Sequence, residues 1–213
     1  MRIISFNYRV CGGVLLLYAL FAFISCTRKA ESNSKLVAVL NSDTICSGDI
    51  LLRRGMGLTS RMVLAADLSG NYSHAGIAVE YNGEIAVVHS VPDEAPAGEP
   101  EYVKLESLED FFSPLKSNLN LVLRTPLSPD SLKIVVDDAM NYYDKRVTFD
   151  HKYSLADDEK LYCSELVFLA FNKVGFDVTN GRFSQLKSST ILGRVILPAD
   201  IEHNPNLEVI CEF

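Results

Sequence analysis

Cys163, His74 and His89 are the residues of this chain whose chemistry fits together. A thiol becomes a strong nucleophile when a neutral imidazole takes its proton, and a second polar group must hold that imidazole in place. Cys163 opens a predicted helix in the run Tyr162-Cys163-Ser164-Glu165-Leu166-Val167. The backbone N–H groups and dipole at a helix start favour thiolate over thiol. The same N–H groups can bind the oxyanion of a tetrahedral intermediate.

The two histidines flank Tyr81-Asn82-Gly83-Glu84, the strongest hairpin signal in the chain. With Asn82-Gly83 as a two-residue turn, Tyr81 faces Glu84 and His89 faces Gly76. His74 then lies diagonally from His89 on the same face of the hairpin, within reach of a second ring. A slip of one residue would send the histidines to opposite faces. A competing reading makes Cys163 a core residue, because Cys163, Val167, Ala170 and Val174 share one helical stripe. The occurrence of hairpin, paired histidines and helix-opening cysteine in one small domain favours the chemical reading.

The remaining pattern supplies a frame for these residues. Ile50 to Leu52, Ser73 to Glu80, Ile85 to His89, Tyr102 to Leu105 and Leu119 to Arg124 read as strands. Lys35 to Leu40 and Ile45 lead into the first of them, and Val147 to Phe149, Ser188 to Leu197 and Leu207 to Cys211 add short candidates. Thr59 to Asp67 and Leu105 to Phe112 suit short helices. Ser128-Pro129-Asp130 is a helix start, with a cap, proline in the first position and an acid in the first turn. That helix runs to about Asp144, and the helix of Cys163 ends at Gly175. Val91 to Pro100 reads as a surface loop. The fold class is α+β, an antiparallel sheet packed with helices.

The amino-terminal end reads as a targeting segment. Val10 to Ile24 is apolar and uncharged between Arg9 and Thr27-Arg28-Lys29, too short to span a bilayer in comfort and suited to a signal-peptide core. It ends in Ser25-Cys26, which resembles a bacterial lipobox and implies cleavage before Cys26 with lipid on that thiol. Residues 1–25 are then signal peptide, 26–34 a lipid-anchored tether and 35–213 the folded domain. An uncleaved anchor or ordinary secretion are the other readings. The chain carries a net charge of −7. Cleavage would remove Arg2 and Arg9 and no acids, leaving 18 basic against 27 acidic residues, net −9. Such a balance argues against nucleic acid and against electrostatic adhesion to anionic lipid. Membrane attachment would rest on Cys26, in a bacterial cell envelope.

Cys46, Cys163 and Cys211 remain in the domain, an odd number that leaves at least one unpaired; Cys46 with Cys211 is one possible pair. No two cysteines have zinc-site spacing. Asp49 reads as a turn residue and Asp157-Asp158-Glu159 as a solvated loop. No metal and no cofactor is expected.

Five motifs in order then resemble a known family: Gly48-Asp49-Ile50, Ser73-His74-Ala75-Gly76-Ile77, Val87-Val88-His89, Phe149-Asp150 and Tyr162 to Val167. Together they resemble the YiiX/YaeF group of circularly permuted papain-fold amidases. These are relatives of the NlpC-type cell-wall peptidases and cousins of lecithin retinol acyltransferase. His precedes Cys here, the reverse of a papain-like chain. The resemblance implies Cys163 as nucleophile and His74 as general base. The third position, often Glu in the YiiX group, falls on His89. Tyr162 and Asp150 match less defined positions and are assigned to the substrate cleft, with aromatic packing and turn capping as their competing readings. Glu165 either points toward a substrate amine or sits as a solvated first-turn acid. The implied function is hydrolysis of an amide in a peptidoglycan peptide or other small compound through a thioester. Acyl hydrolysis or transfer on lipid with the same three residues is the second reading, and a non-catalytic binding lipoprotein the third.

Overall fold

The computed structural model describes residues 44–67, 69–187 and 192–213. The expected signal peptide and tether with Cys26, the segment Lys35 to Leu40, and residues 188–191 of the expected Ser188 to Leu197 strand lie outside the described residues. A central antiparallel sheet is formed by β1 (Ile50–Gly55), β2 (His74–Tyr81), β3 (Glu84–His89), β4 (Lys104–Ser107), β5 (Ser117–Arg124) and β10 (Glu208–Glu212), in the order β10-β5-β1-β2-β3-β4. The helices are α1 (Leu58–Ala66), α2 (Leu108–Phe111), α3 (Pro129–Asp144), α4 (Cys163–Asn172) and α5 (Pro198–Glu202). Two short pairs complete the described elements: β6 (Thr148–Phe149) with β7 (Lys160–Leu161), and β8 (Ser184–Lys187) with β9 (Leu192–Val195). Among the described residues no helix is long and apolar enough to cross a membrane.

Apolar residues line both faces of the sheet because both are covered. Ile50, Leu52, Ala75, Ile77 and Val88 belong to the larger core, with Val135 and Ala139 of α3 and Leu166, Val167 and Phe171 of α4. Alternate residues Leu51, Ala78, Val87 and Val122 pack on the other face with Phe111, Phe112 and Phe213. Alternation along each strand decides which core a side chain joins. Helix α3 starts where the sequence places it: Ser128 Oγ accepts from the Ser131 backbone N–H, and Pro129 fills the first turn.

The hairpin has the expected register, with Tyr81 opposite Glu84 and Ile77 opposite Val88. Asn82 and Gly83 have φ of 55° and 83°, the left-handed pair that a two-residue hairpin turn of matching twist requires. Gly76 lies beside His89, where a Cβ would come within 2.7 Å of Val87 Cγ1 and 3.2 Å of His89 Cβ. Any side chain at that position would push against Val87 and crowd the Cβ from which the His89 ring projects.

Several short elements differ from the sequence expectation: the helix expected over Leu105 to Phe112 is confined to Leu108–Phe111, and strand β7 is not among the expected strands. Strand β4 begins at Lys104, two residues later than Tyr102, because its alternate residues Lys104 and Glu106 turn inward to a charged cluster and only Leu105 joins the larger core. An edge strand with its polar side inward carries no ordinary amphipathic signal. Helix α5 and strand β8 are too short to show a period. Asp200 secures the start of α5 by accepting from the Leu197 backbone N–H at 2.8 Å.

Candidate active site

Cys163 is the first residue of α4, which packs on β2. The backbone N–H groups of Ala75, Ser164 and Cys163 itself are turned toward its sulfur, and Ser164 Oγ lies 3.7 Å from Sγ. Ala75 follows His74 in β2, so the thiol meets the hairpin at the strand end that carries the first histidine. Although part of the side chain remains exposed, the protein atoms packed around it push the thiol pKa up. Burial thus outweighs the helix start, which by itself would favour thiolate.

His74 and His89 are buried and touch: His74 Nε2 lies 2.8 Å from His89 Nδ1. Their rings meet edge to face with centroids 5.0 Å apart. Phe111 covers both, at 5.8 Å from His74 and 5.2 Å from His89. Burial, reinforced by the nearby Arg53 charge, holds the His74 imidazole well below its ordinary pKa. Burial also lowers His89, although Glu106 opposes it. Both rings are therefore neutral near pH 7, and His74 is in the form that can accept a proton.

The pair continues into a charged cluster that the sequence reading did not single out. His89 Nε2 lies 3.1 Å from Glu106 Oε1. The other Glu106 oxygen meets Lys116 Nζ at 2.9 Å and Lys104 Nζ at 3.3 Å. Arg53, directly opposite His74 in the β1–β2 pair, lies 3.6 Å from Glu106 Oε1 and 2.8 Å from Glu94. Arg53 also donates to the Phe111 carbonyl and stacks over the Phe111 ring, with 4.7 Å to its centroid. Burial works against the Glu106 charge, but His89 and the two lysines hold its carboxyl well below the usual range. The one signal available in the sequence was the alternation Lys104, Glu106 on the strand beside His89.

A cavity of about 400 Å³ opens on His74. Arg53, Asp93, Glu94 and Lys116 form a charged wall, and Met56, Leu58 and Leu115 form an apolar mouth. Leu58 and Leu115 are 76% and 88% exposed. The loop after β3 is tied down over this space. Thr59 Oγ1 donates to Asp93 at 2.6 Å, the Asp93 backbone N–H donates to Glu101 at 2.6 Å, and Glu94 bridges Arg53 and Lys104.

Of the residues expected at the site, His74 lines this cavity, whereas Cys163, His89, Tyr162, Asp150 and Glu165 do not. Tyr162 is a core residue whose hydroxyl accepts from the Ile196 backbone N–H at 2.9 Å. Asp150 accepts from the Lys152 and Ser154 backbone N–H groups at 2.8 and 2.6 Å, which builds the turn beneath Tyr153. Glu165 is buried and not solvated. It accepts from the Tyr162 backbone N–H at 3.3 Å and flanks a different cavity with Asp157 and Asp158. Cys46 and Cys211 are free thiols. Among the described residues no three His, Cys, Asp or Glu side chains are grouped to hold a metal ion.

Comparison with known proteins identifies the family and the fold. A family model described as a permuted papain-like amidase enzyme, YaeF/YiiX, matches residues 44–211. A crystal structure described as the metalloprotein yiiX from Escherichia coli superposes with a TM-score of 0.64 at 21% identity, covering 78% of this chain and 97% of that one. No curated protein matches.

Glu165 has a consequence for stability. Burial pushes its carboxyl up to about 8 from an ordinary 4.5. Between these values the folded state binds more protons than the unfolded chain, so stability falls as pH rises through that interval. In chemical denaturation, the wild-type midpoint is expected to fall from pH 5 to pH 8. Glu165→Gln, which keeps the acceptor without the charge, is expected to flatten that slope.

Proposed function

This chain belongs to the permuted papain-like amidases and is a cysteine hydrolase, and from that premise we propose that it cleaves an amide through a thioester on Cys163. His74 takes the thiol proton as Sγ attacks the carbonyl carbon. Because thiol and imidazole are both neutral at rest, proton transfer accompanies the attack. The tetrahedral oxyanion is received by backbone N–H groups at the start of α4. His74 then protonates the leaving amine, and in the second half it deprotonates the water that hydrolyses the thioester. His89 holds the His74 ring. The observation that carries this reading is the 2.8 Å contact between the histidine rings in the hairpin whose first strand packs against the helix that Cys163 opens.

The charged wall of the His74 cavity supports a compact polar substrate, a peptidoglycan peptide or another small amide. The apolar mouth at Met56, Leu58 and Leu115 supports a second reading, in which an acyl chain of a lipid substrate lies across it. A series of amides with acyl groups from two to twelve carbons separates them. A rate that rises with chain length, and drops in Leu58→Ser with Leu115→Ser, favours the second.

Cys163→Ala and His74→Ala are each expected to abolish turnover while the far-ultraviolet circular dichroism stays unchanged. His89→Ala is expected to lower kcat on the order of 10- to 100-fold, since it orients the base without accepting the thiol proton. Near-wild-type turnover by either of the first two variants would remove that residue from the mechanism.

We further propose that the chain is a cell-envelope lipoprotein attached through Cys26, which would place the enzyme beside its substrate. Growth with an alkyne fatty acid is expected to label the wild-type protein and leave Cys26→Ala unlabelled. Equal labelling of both would refute the anchor.

A further inference from the structure

We propose that Glu106 is a positioning residue that fixes which nitrogens of His74 and His89 carry hydrogen, so that the base always presents a bare nitrogen; this rests on His74 being the base. Held ionised among Arg53 of β1, Lys104 of β4 and Lys116 before β5, Glu106 can only accept. Its Oε1 faces His89 Nε2 at 3.1 Å, off the line of an ideal hydrogen bond, and neither atom has another hydrogen-bond partner. Glu94, the other acid in the cluster, is bound to the same three cations and leaves Glu106 to face the ring.

The rest follows one atom at a time. An acceptor beside His89 Nε2 puts the hydrogen there. A neutral imidazole with hydrogen on Nε2 has a lone pair on Nδ1. That lone pair lies 2.8 Å from His74 Nε2, which must donate. His74 then has its hydrogen on Nε2 and a lone pair on Nδ1, the nitrogen left for a thiol proton. The opposite arrangement would put hydrogen on His74 Nδ1 and leave the base unable to accept. Two neutral histidines in contact have no preference between these arrangements, and the charge on Glu106 supplies it. A His at the position beside Gly76 thus works because a carboxylate stands one strand further out.

The experiment is two-dimensional NMR of protein with ¹⁵N-labelled histidine, reading the tautomer of each ring, alongside kinetics. In wild type, both His74 and His89 are expected to carry hydrogen on Nε2. In Glu106→Gln the side-chain amide can donate to His89 Nε2, so His74 is expected to populate the Nδ1–H form. Its kcat is expected to fall on the order of 10- to 100-fold with KM little changed. Glu106→Asp, which keeps the charge, is expected to retain the wild-type tautomers and to recover part of kcat. Hydrogen on Nδ1 of either ring in the wild-type protein would overturn the proposal, and needs no variant to fold. So would Glu106→Gln with unchanged tautomers and unchanged kcat. Activity surviving in His74→Ala would instead refute His74 as the base, while the tautomers would still report on Glu106.

Discussion

The contact between His74 Nε2 and His89 Nδ1, 2.8 Å long, is the interaction on which the rest of the site depends. It exists only in one register of one hairpin. The left-handed turn at Asn82-Gly83 sets that register, and Gly76 leaves the space that the second ring occupies. A single-residue slip would turn one ring into the opposite core. The stability of the sheet therefore also serves as the specification of the site.

Burial gives this contact its chemical character. Inside the sheet the imidazoles remain neutral and the thiol remains protonated, so the resting site stores no ion pair. Charge lies alongside the pair, where Glu106 and Glu94 meet Lys104, Lys116 and the Arg53 that stands opposite His74. A buried ion cluster is a poor source of net stability, because desolvation offsets most of the attraction. Its value here is directional: it fixes an acceptor beside one nitrogen of His89. Arg53 also joins the cluster to Phe111, whose ring covers both histidines, so the charged and aromatic walls are tied together.

Much of this was legible in the sequence. Asn82-Gly83 fixed the turn, the count along the strands gave the His74–His89 diagonal, and Ser128-Pro129 located the long helix. The family could be recognised from five short motifs. Glu106 was not legible, because a Lys-x-Glu alternation on an edge strand normally points to solvent, and only the strand order shows that its polar side faces His89. Glu165 misled for a similar reason. An acid in the first turn of a helix usually stays in water, but Glu165 folds back to accept from the Tyr162 backbone N–H and is buried there. The family resemblance assigns Tyr162 and Asp150 to the cleft, whereas one packs in the core and the other ties a turn.

The central claim is that Cys163 forms the covalent intermediate with His74 as its base. Acid-quenching the protein during turnover of an activated amide, followed by peptide mass spectrometry, tests it directly. The acyl group should appear on the peptide that contains Cys163 and be absent when His74 is replaced by alanine. An acyl group on Cys46 or Cys211, or equal acylation of Cys163 without His74, would contradict the account.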